Sequence, residues 1–214
     1  MKFLHILFVV FATQSFAQRD TLKINSDWKF RIEKQSLVVP AQLDFNNLAS
    51  AETVSVPHTW NVKDATQHHY GLAWYQRALP IPANWKNKRV KLVFGAINHS
   101  SYFYINGKKV GERVGDGFNK IELEITPHIT AGTSNVLTVL VNNDYGKEKV
   151  PFGNSFDWPN DGGIIREVYM IATDLNGAER IWARPELNVA NNSGTLNLRI
   201  DFPAVQRDVK LEVS

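Results

Sequence analysis

The chain has 214 residues, 43% of them hydrophobic and 21% charged, a composition that excludes wholesale disorder and allows one medium β domain plus part of another. The formal net charge is only +3 and no Lys/Arg block exceeds two residues, so no electrostatic feature supports a nucleic-acid partner. Cysteine is absent, which excludes disulfide scaffolds, thiolate zinc sites, thiol nucleophiles and iron–sulfur clusters.

Lys2 opens the chain, residues 3–12 are apolar, and Ser15-Phe16-Ala17 forms a small-x-small cleavage site before Gln18. This is the layout of a secretory signal peptide over residues 1–17, with an apolar stretch too short to span a bilayer. No later run reaches the ~18 apolar residues of a membrane helix, so no membrane partner is expected after cleavage. The expected location is periplasmic or extracellular.

The mature chain is dominated by period-two alternation. Val90, Leu92 and Phe94 alternate with Lys91, Val93 and Gly95. The same pattern recurs at Ile121, Leu123 and Ile125, at Leu137, Val139 and Val141, at Leu196, Leu198, Ile200 and Phe202, and at Val209, Leu211 and Val213. Each run reads as a strand with one buried face. Between two further strand-like runs, Asn106-Gly107 predicts a hairpin tip, because a type I′ turn needs positive φ at both central residues. No 3.6-residue apolar period is sustained, so the fold class is all-β, a jelly-roll β-sandwich. The polar turn at residues 173–178 predicts a boundary. A sandwich domain is therefore expected over 18–172. Residues 173–214 have room for only about three strands where a sandwich needs about seven, so they are expected to be the truncated start of a second sandwich domain.

Chemistry is harder to find. No Gly-x-Ser-x-Gly elbow is present, and Ser100 and Ser101 follow His99 on a strand whose neighbours point to opposite faces. No histidines are spaced as a metal pair, so no metal site and no cofactor are expected; His68-His69 reads as a polar loop. Gly111, Gly115 and Gly117 lack the helix that a phosphate loop requires and read as an inter-strand loop. Glu122 and Glu124 fall on a solvent face as surface charges. The most unusual stretch is 144–167. It carries Asp144, Asp157, Asp161 and Glu167 and sets Phe152, Phe156 and Trp158 among four glycines without alternation. Such a loop either packs under its own fold or stands against a ligand or a second domain.

Five motifs then occur in order: Val56-Pro57-His58-Thr59-Trp60-Asn61, Gly71-Leu72-Ala73-Trp74-Tyr75-Gln76-Arg77, the run from Val93 to Asn98, the run from Tyr104 to Gly111, and Asp157-Trp158-Pro159-Asn160-Asp161-Gly162-Gly163-Ile164-Ile165-Arg166-Glu167-Val168. This ordered set resembles the N-terminal sugar-binding domain of glycoside hydrolase family 2, which includes β-galactosidases, β-glucuronidases and β-mannosidases. The resemblance covers about residues 22–172 and continues more faintly into 181–214, which looks like the opening strands of the family's immunoglobulin-like domain. It implies a retaining glycosidase as the parent protein, with a (β/α)₈ barrel carrying a general acid/base and a nucleophile glutamate. This chain stops before that barrel, so no catalytic residue is assigned in it. The barrel, missing from the C-terminal side, and a carbohydrate substrate are the implied partners.

The resemblance also carries a binding residue. In the family's β-galactosidases an aspartate before the Gly-Ile-x-Arg segment reaches the sugar hydroxyls, and the matching residue here is Asp157. A carboxylate suits that role because it accepts hydrogen bonds from two adjacent hydroxyls. Trp158 beside it would offer an apolar face to a sugar ring. Leu72 stands where some members carry a sugar-touching asparagine, which argues against a strict lactase-like preference. Arg166 is expected to be structural and partly buried, and Trp60, Trp74 and Tyr75 to be core or interface residues. The expected function is the non-catalytic front part of an exported β-galactosidase-like glycosidase; the alternative is a free-standing carbohydrate-binding module.

Overall fold

The computed structural model describes residues 19–33, 51–144, 146, 159–175 and 177–203. The signal-like segment and the alternating run at 209–213 lie outside the described residues. The chain divides into two compact units, one of residues 20–175 and one that includes 176–214.

The first unit is a β-sandwich. Its strands are β1 (Asp20–Lys23), β2 (Trp28–Ile32), β3 (Glu52–Val54), β4 (Leu72–Pro80), β5 (Lys88–Phe94), β6 (Ser100–Ile105), β7 (Lys108–Arg113), β8 (Ile121–Glu124), β9 (Ser134–Asn142) and β10 (Val168–Asp174). One sheet has the order β1-β10-β5-β8 and the other β3-β2-β4-β9-β6-β7, and every pairing is antiparallel. From β4 to β10 the chain moves from sheet to sheet in jelly-roll fashion, and only the β6–β7 hairpin stays in one sheet.

Alternation decides which side chains meet between the sheets. Trp28, Phe30, Tyr75, Phe103, Val139 and Val141 face inward from the six-stranded sheet. Val90, Leu92, Phe94, Val168 and Met170 meet them from the four-stranded sheet. The run Leu72–Tyr75 breaks alternation for a different reason. Leu72, Trp74 and Leu140 form a second buried cluster, with Ala51 and Tyr102 packed on it. Around β4 and β9 the six-stranded sheet is therefore apolar on both faces.

The alternating runs at residues 90–94, 121–125, 137–141 and 196–202 all become strands, and among the described residues no α-helix forms. Asn106 (φ 50°) and Gly107 (φ 80°) adopt the left-handed conformations that the hairpin tip requires. Gly111 departs from the loop reading. It lies in β7, where the register with β6 shifts between Phe103 and Tyr104, and a Cβ on it would stand 2.8 Å from Leu123 Cδ2. Trp60 and Tyr75 are fully buried, as core residues should be.

In the second unit β11 (Arg180–Asn188) and β12 (Ser193–Asp201) form a two-stranded antiparallel sheet. Ile181, Ala183, Pro185 and Leu187 share one face with Leu196, Leu198 and Ile200. Trp182, Arg184 and Glu186 occupy the other face.

Leu92 is fully buried, between Leu123 on β8 and Met170 on β10. Leu92→Ala is expected to destabilise the sandwich by about 2–5 kcal/mol, measured by urea unfolding, through lost burial and an unfilled cavity.

Candidate functional site

Strand register brings one set of loops together. Leu72 and Ser100, which begin β4 and β6, both pair with Asn142, the last residue of β9. Phe94, which ends β5, pairs with Ile121 and Val168, which begin β8 and β10. Residues 95–99, 114–120, 143, 144, 146 and 159–167 therefore share one end of the sandwich, and the bond from His58 N to Ile164 O brings the segment that begins at His58 to it.

The backbone at that end is irregular, and at residues 96–99, 143, 160 and 162–164 it is buried, so its polar groups need partners other than sheet ladders. Asparagines supply them, since one amide side chain both donates and accepts. Asn143, fully buried, accepts from Gly71 N at 2.9 Å and donates to Asn160 O at 2.7 Å. Asn160 Nδ2 returns a bond to Asn143 O at 2.6 Å. These two residues thus hold each other across 17 positions of chain. Asn61 Nδ2 donates to Gln67 O and His69 O, while its Oδ1 accepts from Gly162 N at 2.8 Å. Asn98 Nδ2 donates to Asn160 Oδ1 at 2.9 Å and Asp161 O at 2.7 Å. Asn98 and Gly163 also exchange two backbone bonds of 2.9 Å.

Close approach explains the glycines of this segment. A Cβ on Gly162 would stand 2.2 Å from Trp60 Cζ2, and one on Gly163 (φ 145°) 2.1 Å from His58 O. Beneath them is an aromatic stack. Phe30 lies 6.0 Å from Trp60, 5.0 Å from Tyr75 and 4.7 Å from His58, centroid to centroid. Trp60 Nε1 donates to His69 O at 3.0 Å, so His69 is a structural hub rather than only a polar loop residue.

Asp157 and Trp158 lie outside the described residues; Pro159 and Asn160 follow them directly in sequence. Asp161 is the carboxylate the structure does place here. Its main chain is held by Asn98, its side chain meets no partner among the described residues, and partial burial pushes its carboxyl above the usual range. Glu122 and Glu124 are exposed, as surface charges should be, and they meet cations: Lys120 and Lys91 for Glu122, Arg89 for Glu124. Arg166 corrects the expectation of partial burial. It is exposed, because its stem lies over Gly95 and its head reaches out to Phe118 O at 3.2 Å. Among the described residues no group of His, Asp or Glu could hold a metal ion.

The fold and the loop geometry agree with what similarity shows. The family model for "Glycosyl hydrolases family 2, sugar binding domain" matches residues 21–174, and the chain belongs to glycosyl hydrolase family 2. It is 32% identical over 173 residues to a beta-glucuronidase from Bacteroides fragilis, a match that covers 79% of this chain and 23% of that protein. It is 30% identical over 160 residues to a beta-galactosidase from Thermoanaerobacter pseudethanolicus, covering 71% of this chain and 21% of that protein. Among solved structures, a beta-glucuronidase from an uncultured Clostridium sp. superposes with a TM-score of 0.74 at 26% identity. That match covers 94% of this chain and 36% of the other. The crystal structure of a Bacteroides uniformis beta-glucuronidase gives a TM-score of 0.65 at 31% identity, covering 78% of this chain and 20% of the other. The chain spans about a fifth of the length of the two curated relatives.

Asn143→Ala should strand Gly71 N–H and Asn160 C=O without partners. The expected cost is about 2–6 kcal/mol in denaturant unfolding, at about 1–3 kcal/mol for each buried unpaired group. Asn119→Ala, which removes only an exposed bond to Asp116, should stay within about 0.5 kcal/mol of the parent chain.

Proposed function

We propose that this chain is the non-catalytic front part of an exported family 2 glycoside hydrolase, with its end loops forming one rim of the sugar pocket. The observation that carries the reading is the family match over the whole β-sandwich, with relatives in which this portion is about a fifth of the protein. The parent enzyme hydrolyses O-glycosidic bonds with retention, and its two carboxyl groups belong to a catalytic barrel outside the residues that match the sugar-binding domain. Both beta-glucuronidases and beta-galactosidases are among the relatives, and the two solved structures described above are beta-glucuronidases. The substrate class is therefore a β-glycoside of glucuronic acid or galactose, with the glucuronide favoured over the purely galactosidase-like expectation. Export rests on the signal-like layout of residues 1–17 alone.

Asp157 is the sugar-contacting carboxylate of this rim, and Trp158 its apolar wall. Support comes from position: the pair directly precedes the segment 159–164, whose backbone is held at almost every residue. Residues that bind from loops need such a rigid base.

The purified chain is expected to leave aryl β-glucuronides and aryl β-galactosides unhydrolysed above background. Turnover that disappears when one of its carboxylates is changed would overturn the assignment. In the full parent enzyme, Asp157→Asn should lower kcat/KM about ten- to a hundredfold, the loss of a charge-assisted hydrogen bond. The same change should leave the melting temperature of the isolated chain nearly unmoved. A large drop in stability with intact kinetics would make Asp157 a structural loop residue.

A further inference from the structure

One cluster beside the end loops has a role that the sugar-binding reading does not use. His58 Nδ1 lies 2.7 Å from the hydroxyl of Tyr75, a residue that is completely buried on β4. The backbone amide of Ile164 acts electrostatically on the same hydroxyl, and against the effect of burial it favours loss of the phenol proton. His58 N also donates to Ile164 O at 2.8 Å. Ile164 is therefore held through its C=O by the main chain of His58, whose ring in turn meets Tyr75.

The proton positions follow from the partners. Tyr75 is completely buried, so its hydroxyl proton needs an acceptor within the protein. His58 Nδ1 is that acceptor, which requires the neutral ring with its proton on Nε2. A second proton on the ring would sit on Nδ1 and face the hydroxyl. Two donors would then oppose each other, and the Tyr75 proton would lose its partner.

We propose that His58, Tyr75 and Ile164 form an acid-released latch that holds the segment 160–165 on the sandwich while His58 is neutral and loosens it when His58 takes up a proton. The surroundings of the ring favour the neutral form. Phe30 from β2 packs edge-on against it and Tyr75 closes it from β4. Glu52 on β3 and Lys63 beyond the 3₁₀ turn Trp60–Val62 are the charged groups that act on it, and they pair with each other at 2.7 Å. Asp161, in the held segment, is the nearest carboxyl in sequence to Ile164 on that side. The His69 ring packs against Trp60. Burial lowers the proton affinity of His58, Lys63 lowers it further, and Glu52 opposes them.

The sign is fixed by linkage. A ring that is harder to protonate in the folded chain than in the unfolded one adds stability above about pH 6.5. That stability is lost as pH falls through the lower folded value. By the same linkage, any ligand that requires the held segment makes His58 still harder to protonate.

The test uses the 214-residue chain and NMR. In the parent sequence, the His58 ring titration and the Ile164 amide shift should share one midpoint, below the ordinary histidine value. The Ile164 amide protection factor should fall about tenfold between about pH 7.5 and about pH 5. His58→Asn places an amide oxygen near the Nδ1 position and cannot be protonated. It should keep Ile164 protected and hold that protection within about twofold over the same pH range. Tyr75→Phe should leave Ile164 weakly protected at both pH values. The proposal is overturned if the Ile164 amide ignores the His58 titration in the parent chain. It is also overturned if His58→Asn keeps the full acid response, which would pass the role to another group such as Asp161. The titration needs no variant, so misfolding of either substitution leaves the test decisive.

Discussion

Everything at the loop-bearing end of the sandwich depends on one constraint: irregular backbone cannot be buried with its amides and carbonyls unpaired. Strands satisfy these groups with ladders, but the segments between them have none. Here four asparagines substitute for the ladder. Asn143 and Asn160 exchange side-chain-to-main-chain bonds, Asn61 bridges residues 67–69 to Gly162, and Asn98 ties Asn160 to Asp161. Aspartate would provide acceptors only, and serine is too short to span such gaps. The network is also connected, so loss of one member strands partners on others.

That polar lattice is built directly on apolar packing. Gly162 presses on the Trp60 ring, Trp60 stacks on Phe30, and Phe30 belongs to the same inward face as Trp28 and Tyr75. The absence of side chains at 162 and 163 is therefore a packing requirement, because any Cβ would overlap an indole edge or a main-chain oxygen. The sandwich supplies stiffness, the glycines allow contact, and the asparagines make that contact affordable in hydrogen-bond terms. A loop mounted this way can present ligand-facing groups without first having to order itself.

The strands were legible in the sequence because a two-residue period has a direct physical cause, one wet face and one dry face. Val90–Phe94 and Leu137–Val141 are clear cases. The hairpin tip was legible because few residues tolerate positive φ. Gly111 was not, since a bulge glycine inside a strand looks like a loop glycine until its partner strand is known. The run Leu72–Tyr75 hides its alternation because both faces of that sheet are buried there. The asparagine network left almost no trace. Its members are separated by tens of residues, share no period, and become neighbours only through the register that gathers the strand ends. A useful signal was available in retrospect: Asn61 lies in a 3₁₀ turn, Asn98 just before β6 and Asn143 just after β9, beside residues that alternation does not explain. The exposure of Arg166 was equally hidden, because it depends on the bare surface of Gly95 beneath its stem.

The antiparallel register that collects the loops at one pole sends the Asn106–Gly107 turn to the other. Asn106 is braced there by Asn135 and Val136, and the residues that follow, Lys108 and Lys109, are exposed. The molecule therefore has a built-in handle. A surface tether, a fluorophore or a fused protein attached at this tip would stand a full strand length from the asparagine-braced loops. The chain could be immobilised in a single orientation with its loop-bearing end turned to solution.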